Sequence, residues 1–257
     1  MDLGLTDKRV LITGASRGIG AATAKVFLQE GSKVCIVSRG SQQLYETEQQ
    51  LQAQFGKEYI YAERCDCTNP GALISLRERL QDKWSGIDIV MANIGDGRSV
   101  QAPLPSDQQW QQTWNNNFES TLHTARTFLP LLQQSEGCLL FVSSITAMEA
   151  FGAPVDYSTA KTAVAALAKN MARKLGQAVR VNVLAPGNVL FPNSAWDEKI
   201  KQDSQRVEEI LASTVPMNRF GTPEDMADAA VFICSERAKF ITGSVMVVDG
   251  GQTVGVF

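Results

Sequence analysis

The chain has 257 residues, a length that suits one sizeable α/β domain. Its side chains are 44% hydrophobic and 20% charged, enough to build a core, and the net charge of −3 excludes a broad nucleic-acid or anionic-membrane surface. No apolar run is long enough to span a bilayer, and the N-terminal MDLGLTDKRV lacks the basic and apolar regions of a signal peptide, so the expectation is a cytoplasmic protein whose partner is a small molecule.

Short β-rich runs alternate with longer helical ones. KRVLIT (8–13) is apolar and β-branched and opens into the Gly-rich TGASRGIG (13–20), after which AATAKVFLQEG (21–31) has helical periodicity. KVCIVS (33–38), EYIYAERC (58–65), IDIVMAN (87–93), CLLFVSS (138–144), VRVNVLA (179–185) and SVMVVDGG (244–251) continue the series of strands. Near-continuous apolar runs of this length belong to strands buried on both faces, and the helices between them imply repeated βαβ units. The fold class is therefore α/β, a single Rossmann domain over 1–257, with a doubly wound parallel sheet of about seven strands and helices on both faces. Thr222-Pro223-Glu224-Asp225 has the pattern of a helix start: N-cap Thr, Pro at the first turn and an acid at N3. The least regular stretch, 188–216, reads either as a substrate lid or as a surface insertion.

The glycines of TGASRGIG are Gly14, Gly18 and Gly20, with Ser16, Arg17 and Ile19 between them. A strand, a Gly-rich turn and a helix N-terminus together cradle a pyrophosphate. An NAD-specific site places an acid about 20 residues further on, at the end of the second strand, to bind the ribose 2′-OH. Here that strand ends in Ser38-Arg39, and Arg17 is a second cation. Two guanidiniums and a hydroxyl fit a 2′-phosphate, which favours NADP(H) over NAD(H). The competing reading is an Arg39 that stacks on the adenine from solvent.

DYSTAK (156–161) sets Tyr157 and Lys161 four apart on one helix face. A nearby ammonium favours phenolate and makes a phenol usable as a general acid/base. FVSSIT, thirteen residues upstream, lies at a strand end, where α/β sheets bind ligands and a serine hydroxyl can hold a substrate oxygen.

With these motifs in this order, the sequence resembles the short-chain dehydrogenase/reductase family in its compact single-domain branch. TGASRGIG is similar to that branch's G-x-x-x-G-x-G turn, ANIG (92–95) to its N-N-A-G motif, WNNNF (114–118) to the segment carrying its helix asparagine, and LAPG (184–187) and 220–251 to its later landmarks. The resemblance implies Tyr157 as general acid/base, Lys161 as its activator and ribose ligand, Ser144 as the group that orients the substrate oxygen, and Asn117 as the holder of a water linked to Lys161. It further implies cofactor contacts at Asp66 and its neighbour Cys67, at Asn93 and Gly95, at the Pro186-Gly187 turn and at the Val189 backbone. It also implies a homodimer or homotetramer formed through the helices around 107–132 and 157–175.

Two departures bear on the site. The family's threonine four residues after the P-G glycine is replaced by Phe191, so Asn188 or Asn193 is a candidate to supply the lost polar group. Asp96-Gly97-Arg98-Ser99 is charged, and Arg98 is either a solvated loop residue or a contact to an anionic or hydroxylated substrate. With Trp196 and Lys199, these residues lean toward a sugar-like carbonyl or alcohol substrate. Alternatives are a 3-oxoacyl-thioester reductase, an NAD-dependent sugar or alcohol dehydrogenase, a nucleotide-sugar epimerase or dehydratase, disfavoured by glycine spacing and length, and a non-enzymatic sensor, disfavoured by the intact Ser144, Tyr157 and Lys161. No metal is expected: Cys65 and Cys67 have no second Cys/His cluster, and the one histidine, His123, reads as packed or exposed on its helix rather than catalytic.

Overall fold

Residues 2–256 are described by a computed structural model. Seven parallel strands form one sheet in the order β3-β2-β1-β4-β5-β6-β7. They are β1 (Arg9–Thr13), β2 (Lys33–Ser38), β3 (Ile60–Arg64), β4 (Ile89–Ala92), β5 (Cys138–Val142), β6 (Arg180–Pro186) and β7 (Val245–Val248). The order reverses between β1 and β4, which opens a crevice at their carboxyl ends, the place where such sheets bind ligands.

The strands alternate their faces with period two. Val10 and Ile12 of β1 enter one core cluster with Ala24, Phe27 and Leu28 of α1 (Gly18–Gln29), Leu44 and Leu51 of α2 (Gln42–Phe55) and Met226, Ala230 and Val231 of α9 (Pro223–Cys234). Leu11 enters the other, with Leu73, Leu76 and Leu80 of α3 (Pro70–Trp84), Phe128 of α5 (Ser120–Gln134) and Val164 and Ala168 of α6 (Val155–Leu175). Strands β4 and β5 carry buried apolar residues at every position because both of their faces are covered.

Between α4 (Asp107–Trp114) and α5 lies a π-helical turn, Asn115–Glu119, that helical periodicity alone did not indicate. The Asn117 amide donates to the carbonyl of Thr113, four residues back, and so inserts a side chain into the helical ladder. Segment 188–216 begins irregularly after β6 and then carries two helices, α7 (Ala195–Gln202) and α8 (Ser204–Thr214). The expected start at Thr222 forms as a full capping box with Asp225.

Candidate active site

The Gly-rich turn is shaped by backbone and sterics. Gly14 and Gly18 have φ of +65° and +55°, in the left-handed region that favours glycine. A Cβ on Gly20 would sit 2.7 Å from the Gly14 carbonyl oxygen, so only glycine lets α1 start this close to the turn. Asn93 braces the turn from β4: its amide donates to the carbonyls of Thr13 and Gly14 (3.2 and 3.0 Å), and its backbone N–H donates to the Thr13 hydroxyl. Its carboxamide thus serves the protein's own backbone at the place where the family resemblance implied adenosine contact. The Phe191 ring lies against the turn, 2.7 Å from where a Gly18 Cβ would be.

At the end of β2, Arg39 is exposed, and its guanidinium has no carboxylate partner among the described residues. Ser38 pairs in register with Arg64 of β3, whose Nε donates to the Arg39 carbonyl (3.0 Å). Arg64 is a cation that sequence reading missed, because only strand register brings it beside Arg39. An open groove of about 470 Å³ runs from Arg39 and Thr68 to Gln108, Gln111, Asn115 and Asn116. Asp66 holds Thr68 through Oδ1, which accepts from both its backbone and its hydroxyl. Cys65 and Cys67 are buried, and no group of His, Cys, Asp or Glu among the described residues is suited to hold a metal. These features fit a dinucleotide: a glycine cradle for its diphosphate and an uncompensated cation where no acid would repel a 2′-phosphate.

The chemistry end lies at the carboxyl ends of β4, β5 and β6. The two serines of FVSSIT separate cleanly. Ser143 donates its hydroxyl to the Lys161 carbonyl (2.7 Å) and so braces α6. Ser144 accepts from the backbone and hydroxyl of Thr146 and faces the Tyr157 phenol. Lys161, 2% exposed, donates from Nζ to the Val142 carbonyl (3.0 Å) and stands 5.9 Å from the Tyr157 ring centroid. A Cβ on Gly95 would fall 2.5 Å from that Nζ, so Gly95 makes room for the ammonium. Asn117 is 1% exposed; its amide donates to the Asp96 carbonyl and its Oδ1 accepts from the Asp96 N–H.

Burial sets the proton affinities. It pushes the Tyr157 phenol above its usual value; hydrogen bonding with Ser144 offsets part of the rise, and nearby Asp96 adds to it. It pulls the Lys161 ammonium down to about 8. Ser144, and not Lys161, is the group that lowers the Tyr157 phenol in this arrangement, in which Nζ is turned to the Val142 carbonyl. Asp156, which sequence reading passed over, is 1% exposed and organises the helix start. It accepts from the Tyr157 N–H (2.8 Å) and from the Ser99 hydroxyl (2.6 Å).

The charged loop after β4 covers this end. Gly97 lies over the Tyr157 ring. Arg98 reaches the segment that follows β6: its guanidinium donates to both carboxylate oxygens of Glu198 (2.9 and 3.0 Å), to the Asn193 carbonyl and to Asp96. Trp196 packs on Phe220 with Lys199 over its indole, and the Asn188 amide nitrogen is buried without a partner among the described residues. Val189 forms an isolated parallel bridge to Gly221. His123 lies on α5, with Nε2 3.8 Å from the Glu119 carboxylate.

Fold and cleft together define an NAD(P)-binding oxidoreductase of the doubly wound α/β class. A sequence profile described as enoyl-(acyl carrier protein) reductase matches residues 14–253, and the chain belongs to that family, within the short-chain dehydrogenases/reductases that act on CH–OH and C=O groups with NAD(P). It is 30% identical, over 98% of its length and all of the relative's, to the 3-oxoacyl-[acyl-carrier-protein] reductase FabG of Chlamydia pneumoniae. Its fold matches L-sorbose reductase from Gluconobacter frateurii, solved with NADPH and L-sorbose, at a TM-score of 0.92, with 29% identity and full coverage of both chains. It also matches an NADPH-bound short-chain oxidoreductase from Pseudomonas aeruginosa described as having an atypical catalytic centre (TM-score 0.91, 27% identity, 98% of this chain and all of the other).

Proposed function

We propose that this protein is an NADP(H)-dependent reductase of a polar, hydroxylated carbonyl compound, or the reverse dehydrogenase. One observation carries the cofactor choice: the end of β2 presents Arg39, with Arg64 beside it, where an NAD-specific site presents an acid. The relatives solved with NADPH support the same reading.

When bound, NADPH supplies a hydride to the carbonyl carbon. The chain's residues supply the rest. Gly14, Gly18, Gly20 and the N-terminus of α1 hold the diphosphate, with Ser16, Arg17 and Ile19 contributing from the turn, while Ser38 and Arg39 hold the 2′-phosphate. Asp66 faces the adenine, and Pro186, Gly187 and Val189 bound the nicotinamide end. Ser144 donates a hydrogen bond to the substrate carbonyl oxygen, and Tyr157 gives its proton to that oxygen as it becomes an alkoxide. Lys161 compensates the phenolate charge that results, and Asn117 fixes the backbone of the loop that packs on it. A phenol raised by burial is protonated at neutral pH, which suits reduction.

A 3-oxoacyl-thioester reductase is the second reading, favoured by the chlamydial relative. Against it stands the charged mouth of Asp96, Arg98 and Glu198 above Tyr157. Acetoacetyl-CoA and L-sorbose offered side by side with NADPH separate the two.

Parallel fluorescence titrations with NADPH and NADH test the cofactor assignment. NADPH should bind about tenfold or more tightly than NADH, and Arg39→Ala should remove the difference while leaving NADH binding unchanged. Equal affinities in the wild type would return Arg39 to an adenine-stacking or solvent role.

A further inference from the structure

Beyond β7 the chain turns back across the sheet. Asp249 winds the turn, accepting from Gly251 N–H on one oxygen and from Thr253 N–H (2.7 Å) on the other. The next residues, Val254 and Gly255, donate their N–H groups to the carboxylate of Glu149, five residues after Ser144. Since β6 lies between β5 and β7, this strap crosses the carboxyl end of β6. Val142 pairs with Leu184, so the register carries Ser144 alongside Pro186, and the strap passes next to the reacting centre.

Gln252 sits midway along the strap. It is 6% exposed, its Oε1 has no hydrogen-bond partner among the described residues, and that oxygen lies 3.1 Å from where a Gly187 Cβ would be. In Asn188, the residue that follows Gly187, the buried Nδ2 is likewise unpartnered among the described residues. These are the two orphaned buried side-chain atoms among the described residues, and both belong to residues that adjoin Gly187, Gln252 in space and Asn188 in sequence. Folded proteins pair nearly all such groups, so two orphans at one cleft are groups awaiting a ligand. One is an acceptor and the other a donor. A hydroxyl satisfies both at once, because it donates one hydrogen bond and accepts another.

We propose that Gln252 and Asn188 form a hydroxyl-binding subsite over the end of β6, which takes a hydroxyl on a carbon beside the one being reduced. The proposal rests on the reading that this cleft reduces a polar carbonyl compound, and it names the feature of that compound the protein recognises. A site built to hydrogen-bond a hydroxyl discriminates strongly against an analogue without one, since its polar groups are then buried unpaired.

The test has a binding arm and a kinetic arm. In the first, calorimetry measures xylitol binding to the wild-type protein with NADP+. Gln252→Leu and Asn188→Leu should each weaken it about tenfold or more, with NADP+ affinity unchanged in the Gln252 variant, while Gln252→Glu, which keeps the acceptor, should retain it. In the second, dihydroxyacetone is compared with pentan-3-one, in which methyls replace the hydroxyls. Gln252→Leu should raise KM for dihydroxyacetone and leave pentan-3-one unaffected. Gln252-dependent xylitol binding without turnover of either ketone would sustain the subsite and sink the reductase reading. Absent wild-type binding, binding indifferent to both leucine substitutions, or Gln252→Glu behaving as Gln252→Leu would overturn the subsite and leave an ordered water as the occupant.

Discussion

Tyr157 is the residue whose environment says most about direction. Burial holds its phenol protonated well past neutrality, with Ser144 pulling the other way, so the proton that reduction consumes is already in place. Oxidation needs the phenolate and works against the same burial. Tyr157→Phe should therefore lower kcat for reduction by roughly 10²–10⁴-fold with NADPH affinity retained, as expected for loss of one positioned acid. In the wild type, reduction should stay level through neutral pH and fall only as the phenol ionises, above its ordinary value of about 10, whereas oxidation should climb with pH. Near-wild-type turnover in the phenylalanine variant, measured by NADPH absorbance, would remove Tyr157 from the chemistry. The family resemblance implied Ser144 over Ser143 through its spacing to Tyr157, and the structure gives Ser143 a separate task, a hydrogen bond to the Lys161 carbonyl. Arg64 and Gln252 were not legible, because strand register and a returning strap bring them to the cleft. Asp156 was next to Tyr157 in plain sight, but nothing local announces that a carboxylate will fold back on the following N–H. Phe191 was read as a lost hydroxyl; that its ring would lie on Gly18, far away in sequence, belongs to the folded chain alone.

Elements with strong local signals were readable. The capping box at Thr222 and the apolar strands follow from side-chain chemistry within a few residues. The π-turn at Asn115–Glu119 was not, since it depends on what the Asn117 amide finds across the loop at Asp96. Segment 188–216 was open between a lid and a surface insertion, and the structure gives it a specific attachment. Arg98 ties α7 to the loop over Tyr157 through a bidentate pair with Glu198 and a bond to the Asn193 carbonyl. Both side chains are more than a third exposed, so the pair contributes little to global stability, on the order of 0.2–1 kcal/mol. Its consequence should be local: Arg98→Ala and Glu198→Gln should each speed proteolytic cleavage within 195–214 and raise substrate KM, with melting temperature nearly unchanged. Because the two residues act through one contact, the double variant should be no worse than either single one. Additive effects in that cycle would show that Arg98 acts elsewhere, on substrate for instance.

At the scale of the molecule, the parallel sheet joins residues far apart in sequence, and its amino-terminal edge needs fastening as its carboxyl edge needs to be open. Arg9, at the start of β1, supplies the fastening. Its Nε and Nη2 donate to the two oxygens of Asp88 (2.7 and 2.8 Å), just before β4, and Nη1 donates to the Trp84 carbonyl. Burial by itself would raise the Asp88 carboxyl, but the hydrogen bonds and charge of Arg9 more than offset it, and the net shift is downward. A carboxylate whose folded pKa lies below its unfolded value of about 4 adds stability that is fully present above that value and disappears as pH falls through the folded one. Asp88→Asn should accordingly lower Tm at neutral pH by several degrees, given about 2–4 °C per kcal/mol for a chain of this size. As the pH is lowered below about 4 the gap to wild type should close, because the wild-type carboxylate is then being protonated as well. A Tm difference that persisted unchanged into acid would mean that Asp88 contributes by shape and neutral hydrogen bonding, and that its pairing with Arg9 does not hold the closed edge of the sheet.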